Sequence, residues 1–301
     1  MLRAFRKIKG HIMKIGVSSY SYSRCVGEKR MKETDIPAKA KEMGFDALEF
    51  AGISPPEGVA ALDYAAQLRD IAAGCGIPLI AYAIGADFLG GSGGDLKKEI
   101  ARVCREVDVA KVLGVPLMRH DATWGVPKEW KDGKSFCANV NRLAEGCREV
   151  TKYAEGLGIR TTVENHGYYC QDSERVEMLV DAVRHPNFGV LLDVGNFACA
   201  DEDSGIAVGR LLPYAFHCHV KDFHIKSGNG IAPGNGWFTS RGGNFLRGAI
   251  VGHGDIPVSQ CLRLIKNAGY AGAVSLEFEG MEDPIQGIAI GLENIRRFVG
   301  G

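Results

Sequence analysis

The amino-acid sequence predicts a single (β/α)8 barrel, an α/β fold with eight parallel strands. Its 301 residues, 46% of them hydrophobic, are enough to form one large core. About eight apolar segments alternate with about eight amphipathic ones, which is typical of parallel βα units, and eight units in roughly 290 residues match the usual length of such a barrel. An open doubly wound sheet is the alternative. It is disfavoured because no glycine-rich dinucleotide motif follows the first predicted strand, IGVSSYSYS.

A recurring glycine separates the predicted helices from the strands. Helical patterns end in Gly and an apolar segment follows at once, as in KEMG-FDALEF and GLG-IRTTVEN. Glycine suits the left-handed position just past a helix end because it has no Cβ, and the immediate strand implies a short loop. The glycines at these boundaries are Gly44, Gly76, Gly114, Gly158 and Gly269.

The predicted strands are short and almost continuously apolar, as expected for parallel strands that are covered on both faces. They span residues 14–19, 46–50, 77–84, 115–119, 159–164, 188–193, 215–220 and 272–278. The segments between them carry apolar residues at three- and four-residue steps, which predicts amphipathic helices. These helices span residues 34–43, 57–74, 96–113, 136–157, 173–184, 203–211, 257–268 and 284–298.

The barrel segments define the domain organisation. We interpret residues 1–13 as an N-terminal extension, because MLRAFRKIKGHI is basic and lacks the apolar region of a signal peptide. Residues 14–301 form the barrel, which is the catalytic domain. Residues 223–255, rich in Gly and Asn, are unusually long for a connection without secondary structure, and such loops are often functional. In a barrel this loop would lie over the active site.

Charge and cysteine content exclude several classes of protein. The 36 basic residues balance 36 acidic ones, so we expect neither nucleic acid nor a membrane surface as a partner. No apolar run approaches the roughly 20 residues that span a bilayer. The nine cysteines form no C-x-x-C pair, which favours buried free thiols and a cytoplasmic location over a disulfide framework.

Four consecutive predicted strands end in residues that bind metals. Because the carboxyl ends of barrel strands meet at one face, these side chains are expected to surround one divalent ion. Three oxygen ligands and one imidazole favour Mn²⁺, with Mg²⁺, Co²⁺ and Zn²⁺ as alternatives. The four residues are Glu164 in VENHG, Asp193 in LLDVGN, His219 in HCHVKD and Glu277 in SLEFEG.

Two of these assignments have a neighbouring alternative. His217 and His219 share one face of their strand, and His219 is preferred because it is nearer the carboxyl end. Glu277 and Glu279 pose the same question. Glu277 is preferred because it lies within the predicted strand, which leaves Glu279 as a substrate contact or a neighbour of the ligands.

In this order and at the ends of predicted strands, VENHG, LLDVGN, HVKD and SLEFEG resemble the xylose isomerase-like barrel superfamily. The closest likeness is to its sugar phosphate isomerase/epimerase group, which includes ketose 3-epimerases, hydroxypyruvate isomerases and inosose dehydratases. The resemblance runs from KIGVSSYSY to the last helix. It implies a small-molecule sugar substrate, the same four metal ligands, and Glu164 and Glu277 as the acid/base pair.

Further residues are expected to contact the substrate. Asn196 occupies the place where ketose 3-epimerases often carry His, and His166 gives the ENH form of many superfamily members. Lys221 in HVKD is a candidate contact to a substrate oxygen or phosphate, its alternative being an ordinary loop lysine. The full set of expected substrate contacts is His166, Asn196, Lys221, Glu279, His120 and Trp237.

The resemblance implies a metal-dependent isomerase or epimerase that acts on a sugar through a cis-enediolate. A lyase, dehydratase or deglycosidase that acts on an oxidised sugar or an inosose is the alternative. DNA-repair endonucleases of the superfamily need extra histidines, which ALEFAG and LIAYAIG lack, and the intact ligand set argues against a non-catalytic binding protein. The sequence leaves open which sugar is used, whether it is phosphorylated, and whether the chain forms a homo-oligomer.

Overall fold

The computed structural model describes residues 13–300 and contains the predicted closed barrel of eight parallel strands. The strands of the described chain are β1 (Lys14–Ser18), β2 (Ala47–Ala51), β3 (Leu79–Ile84), β4 (Leu117–His120), β5 (Arg160–Glu164), β6 (Phe188–Asp193), β7 (Ala215–Val220), β8 (Asp222–Lys226), β9 (Phe238–Thr239), β10 (Phe245–Ala249) and β11 (Ala273–Leu276). The barrel order is β1-β11-β7-β6-β5-β4-β3-β2. Neighbouring barrel strands pair in parallel, so their carboxyl ends open at one face.

Helices connect the barrel strands on the outside. They are α1 (Ser23–Gly27), α2 (Ile36–Met43), α3 (Ala61–Gly74), α4 (Leu96–Leu113), α5 (Phe136–Gly156), α6 (Ser173–Val183), α7 (Ser204–Leu211), α8 (Val258–Asn267) and α9 (Pro284–Gly300). All five predicted boundary glycines have positive φ, and Gly44 and Gly114 form left-handed caps of α2 and α4. The glycine pattern therefore identified true helix ends.

The N-terminal boundary of the barrel differs by one residue from the prediction. Residues 1–12, most of the predicted N-terminal extension, lie outside the described residues. Met13 was assigned to that extension, but it is buried and packs in the barrel's hydrophobic core.

The described chain contains no helix with the length and apolar character needed to span a membrane. All nine cysteines are free, as predicted, although Cys137 is exposed.

The segment 223–255 is not the structureless loop that the sequence predicted. It folds into a three-stranded antiparallel sheet in the order β8-β10-β9. Asp222 fastens the base of this sheet, because its buried carboxylate accepts backbone N–H bonds from Phe223, Gly252, Gly254 and Ile256. One carboxylate thus ties the start of the segment to its end.

Alternation along the strands gives the barrel a polar interior. Successive side chains of a strand point to opposite faces, and in β2 the neighbours of Glu49 are the buried apolar residues Leu48 and Phe50. Glu49 itself meets His217 of β7 and Ser275 of β11 across the barrel. The inward positions are therefore where the chemistry of this fold is found.

Close packing between α5 and the β3–α4 connection gives a test of the fold. A Cβ at Gly146 would lie 2.4 Å from the ring of Phe88, which is buried in the core. We expect Gly146→Ala to lower the free energy of unfolding by about 1–3 kcal/mol through overpacking. Urea titration followed by circular dichroism measures this change.

Gly156→Ala is the matched control in the same helix. Apart from its chain neighbours and the backbone of its own helix, no heavy atom of the described residues lies within 4 Å of a Cβ at this position, so alanine should be neutral or stabilising by up to about 1 kcal/mol through helix propensity. Equal stability of the two variants would show that Phe88 does not press on α5.

Candidate metal centre

Four ligand-type side chains meet at the carboxyl face of the barrel. Glu164 and Asp193 are the last residues of β5 and β6, and His219 lies next to the end of β7. Glu277 was expected inside the last strand, but in the structure it lies one residue beyond the end of β11. All four are buried, and each offers a ligand atom within 4.8 Å of the others. The structure thus brings the predicted ligands together, with Glu277 rather than Glu279 in the cluster.

The ring of His219 faces the three carboxylates with one nitrogen. Its Nδ1 lies 3.4 Å from Glu277 Oε2, and 3.9 Å from both Glu164 Oε1 and Asp193 Oδ2. Burial lowers the pKa of His219, but the charges of Glu49 and Glu277 outweigh burial and raise the pKa well above its ordinary value. The imidazole therefore attracts a cation, whether a proton or a metal.

Asp193 is held rigidly by the turn that follows β6. Its Oδ1 accepts the backbone N–H bonds of Gly195 (2.7 Å) and Asn196 (3.0 Å). Its Oδ2 has no hydrogen-bond partner among the described residues and faces the cluster. Burial, opposed by Lys221 but reinforced by Glu164, raises the pKa of Asp193 to about 6. One oxygen of this side chain is thus fixed and the other is available.

Glu164 and Glu277 each have a cationic partner. Arg119 Nη2 lies 2.5 Å from Glu164 Oε2, and Asn196 Nδ2 donates to Glu164 Oε1 at 2.9 Å. Lys221 Nζ lies 2.9 Å from Glu277 Oε2. Burial raises the pKa of Glu277, but Lys221 and His219 outweigh it and hold the pKa below its ordinary value. These partners keep Glu277 ionised and orient both carboxylates.

The donor set and its geometry fit a divalent metal ion. Bonds of about 2.1 Å place opposite ligands of one ion about 4.2 Å apart, which is compatible with the distances between His219 Nδ1 and the carboxylates. His219 Nδ1 and Asp193 Oδ2 are both buried without a hydrogen-bond partner in the described chain. A cation between them would satisfy both atoms and offset the carboxylate charges.

A cavity of about 730 Å³ opens above this cluster. Glu164, His219 and Glu277 line it directly, so their side chains are accessible to a small molecule. Three of the predicted substrate contacts also line it, namely His166, Lys221 and Glu279. Tyr20 and Trp124 stand at its wall with 43% and 59% of their surfaces exposed, and such amphipathic rings suit contact with a sugar.

His166 belongs to a hydrogen-bonded group beside Glu164. Its Nδ1 lies 2.9 Å from Asp121 Oδ1, and Arg119 Nη2 lies 2.8 Å from the same oxygen. Burial lowers the pKa of His166, but the hydrogen bond and charge of Asp121 outweigh burial, so the pKa lies above its ordinary value. The side chain is still 32% exposed. His166 thus presents a readily protonated imidazole to the cavity.

The structure does not bring His120 to the cavity. Its ring is fully buried and packs between Phe88 and Phe188, and burial lowers its pKa to about 4. His120 is thus absent from the described residues that line the cavity. The reason is strand alternation: in β4, Arg119 points inward and His120 points outward under the helices.

Two other predicted contacts also lie off the cavity wall. The side chain of Trp237 has Lys226 and Arg247 at its ring face, 5.7 and 5.4 Å from the ring centroid. No described residue of 223–255 lines the cavity, so the segment does not cover the site directly. It packs at the rim, where Tyr168 Oη donates to Thr239 O and Arg241 binds Asp172. Asn196 is not among the described residues that line the cavity, but it donates a hydrogen bond to Glu164, which lines it.

Sequence reasoning missed three polar residues of the site. Arg119 and Asp121 flank His120 in LMRHD, and Glu49 lies in ALEF of β2. Applying the two-residue alternation of strands would have placed Arg119 and Asp121 on the face opposite to His120. Glu49 gave only the weak signal of a single carboxylate inside an apolar strand.

Comparison with known proteins identifies relatives with the same barrel fold. A model for the family of xylose isomerase-like TIM barrels matches residues 37–298. An inosose dehydratase from Bacillus thuringiensis (strain Al Hakam) is 25% identical over 183 residues, which are 58% of this chain and 54% of that relative. The chain therefore spans about half the length of the curated relatives that it matches.

Solved structures share the fold over nearly the whole chain. A D-psicose 3-epimerase, described in the presence of D-fructose, superimposes with a TM-score of 0.68 at 19% identity and covers 96% of this chain and 100% of its own. A xylose isomerase-like barrel protein from Mycobacterium smegmatis, described in complex with magnesium, gives a TM-score of 0.68 at 17% identity, with 96% and 97% covered. At these identities the likeness shows the fold alone.

We expect the purified protein to bind one divalent ion per chain, because four buried donors converge on one point. His219→Ala and Asp193→Ala should each weaken Mn²⁺ binding by more than about 100-fold. Loss of a direct ligand should cost more metal affinity than loss of a residue that only hydrogen-bonds to a ligand. Isothermal titration calorimetry and elemental analysis after Mn²⁺ loading measure this. Unchanged binding in both variants would refute the site.

The same binding should weaken as the pH falls. The raised pKa of His219 means that its proton competes with the metal, so binding releases a proton and the affinity rises with pH. Titrations in buffers of different ionisation enthalpy count the released protons. Binding without proton release between pH 6 and 8 would show that His219 is not a ligand.

Proposed function

Because the chain belongs to the family of xylose isomerase-like TIM barrels, we propose that it is a divalent-metal-dependent isomerase or epimerase that acts on a sugar or sugar derivative. The observation that carries this proposal is the convergence of Glu164, Asp193, His219 and Glu277 below an open cavity. Mn²⁺ is the proposed ion, with Mg²⁺, Co²⁺ and Zn²⁺ as alternatives.

We assign the transfer of substrate protons to two glutamates of the centre. In the barrel order, β5 and β11 flank β6 and β7, so Glu164 and Glu277 approach the cavity from either side of Asp193 and His219. Arg119 and Lys221 stabilise the charge on these two carboxylates. One glutamate then removes a proton from the carbon beside a ketone, and the other returns it.

The site of proton return determines the product. Return to the opposite face of the same carbon inverts it, which is epimerisation, whereas return to the neighbouring carbon moves the carbonyl, which is isomerisation. A divalent ion, when bound, supplies the Lewis acidity that makes this C–H more acidic. Lys221 stands next to Glu277 and Glu279 in the cavity wall, where its ammonium group can hold a substrate oxygen.

A dehydratase that acts on a keto sugar or inosose is the second candidate. Curated inosose dehydratases are among the relatives of the chain, and elimination needs an acid that protonates the departing hydroxyl. His166, whose pKa is raised by Asp121, lines the cavity and has the character of such an acid. The abstracted proton would go to a glutamate, and the departing oxygen would leave as water.

One experiment separates these reactions. The Mn²⁺-loaded protein is incubated in D₂O with ketoses, inososes and 3-oxo-sugars, and products are analysed by mass spectrometry. A product that is an isomer of the substrate and carries deuterium supports the isomerase or epimerase. A product that has lost one molecule of water supports the dehydratase. If no member of the panel gives either product, the result contradicts both proposed functions.

Glu164→Gln and Glu277→Gln test the acid/base pair. Glutamine keeps an oxygen in place but removes the base, so each change should lower turnover by roughly 10²–10⁴-fold. In an epimerase, loss of only the reprotonating residue should leave slow deuterium exchange at the original carbon while conversion stops. If both variants kept near-normal exchange and conversion, Glu279 and His166 would become the candidates.

His166→Gln distinguishes the two candidate functions. In a dehydratase it should preserve deuterium exchange at the carbon acid while elimination falls by roughly 10²–10⁴-fold, because only the general acid is lost. In an isomerase or epimerase, exchange and conversion should change together. A dehydratase whose elimination rate is unaffected would show that the acid lies elsewhere.

A further inference from the structure

Glu49 is a fully buried carboxylate behind the metal centre. It lies in the middle of β2, and its solvent exposure is 0%. Its Oε2 lies 2.5 Å from His217 Nε2 and accepts a hydrogen bond from Ser275 Oγ at 3.1 Å. Its Oε1 lies 2.5 Å from His219 Nε2 as an ion pair without hydrogen-bond geometry, and neither atom has a hydrogen-bond partner among the described residues. A single carboxylate therefore touches both histidines of β7.

The contact with His219 determines where the imidazole proton lies. A nitrogen lone pair pressed against a carboxylate oxygen at this distance would be repelled, so Nε2 must carry the proton. When a metal displaces the second proton, the neutral imidazole that remains has one N–H, and Nδ1 then carries the lone pair. That nitrogen faces Glu164, Asp193 and Glu277 at 3.4–3.9 Å.

We infer that Glu49 is a positioning residue, which holds His219 with its Nδ1 lone pair directed at the metal. This inference rests on the proposed metal-dependent function and adds a fifth residue to the centre. Metal-binding histidines commonly donate their second N–H to a carboxylate, and loss of that partner typically costs 10–100-fold in metal affinity. Glu49 touches neither the cavity nor any of the three carboxylate ligands in the described structure.

A second metal ion held by Glu49, His217 and His219 is the alternative use of this cluster. The distances argue against it. Metal–ligand bonds of about 2.0–2.2 Å in a tetrahedral site separate two ligand atoms by about 3 Å or more. The two contacts of Glu49 with the histidines are both 2.5 Å, which is too short for two ligands of one intervening ion.

Zn²⁺ binding to Glu49→Gln tests the inference. The amide can accept from one histidine but must offer N–H groups to the other, so the His219 tautomer is no longer fixed. We expect the variant to bind Zn²⁺ 10–100-fold more weakly in competition titrations. The downfield proton signal of His219 Nε2–H, assigned by its absence in His219→Asn, should shift and exchange faster with water in the Zn²⁺-loaded variant.

Two further variants separate positioning from stability. Glu99→Gln is the matched control, because Glu99 is another buried carboxylate that is hydrogen-bonded, here by Ser92 and Arg102 on and near α4. It should lose stability without losing Zn²⁺ affinity. Glu49→Asp keeps the negative charge, so it tests the inference even if Glu49→Gln does not fold. Its shorter side chain withdraws the carboxylate from His219 and should also weaken Zn²⁺ binding.

The outcomes are distinct. Wild-type affinity in either Glu49 variant, or an equal loss in Glu99→Gln, would overturn the role of Glu49 while leaving the metal-dependent function intact. Two Zn²⁺ ions per chain would overturn it in favour of the second site. A wild-type protein that binds no metal would overturn both this inference and the proposed function.

Discussion

Negative charge gathered inside the barrel is the constraint on which the site depends. The carboxylates of Glu164, Asp193 and Glu277 are buried together, and each uncompensated buried charge costs about several kcal/mol. Arg119 and Lys221 offset two of them. The raised pKa of Asp193, about 6, reflects the burial and repulsion that remain. The interior can thus accept one more positive charge. His219 Nδ1 and Asp193 Oδ2, which have no hydrogen-bond partner among the described residues, direct that charge to a single point.

The barrel was predictable because its signals are local. Each strand is a short apolar segment, and boundary glycines such as Gly44 and Gly114 mark where α2 and α4 end. The sheet within 223–255 was not predictable, because β9 has only two residues and the sequence around it is rich in Gly and Asn. Its order comes from contacts that are distant in sequence, above all from Asp222, which binds N–H groups on both sides of the segment.

The metal ligands of the candidate site were predictable because ligand-type residues stand at or beside the ends of apolar strands. Glu164, Asp193 and His219 stood out because apolar strands rarely end in such groups together. His120 met the same criterion and was wrongly expected in the cavity, since the face of a strand depends on alternate positions and not on proximity to its end. Glu49 could not be recognised because its partners lie 168 and more residues away, and only closure of the barrel brings them together.

The metal centre alone does not distinguish epimerisation from dehydration. As proposed, both reactions begin with the same proton transfer, and both use Glu164 and Glu277, which pair with Arg119 and Lys221. Elimination requires in addition a donor for the departing hydroxyl, and His166 has that character while lying on the segment that follows β5 rather than on a barrel strand. Under the proposed function, the choice of reaction is made at the cavity wall, by whether the substrate presents a leaving oxygen to His166.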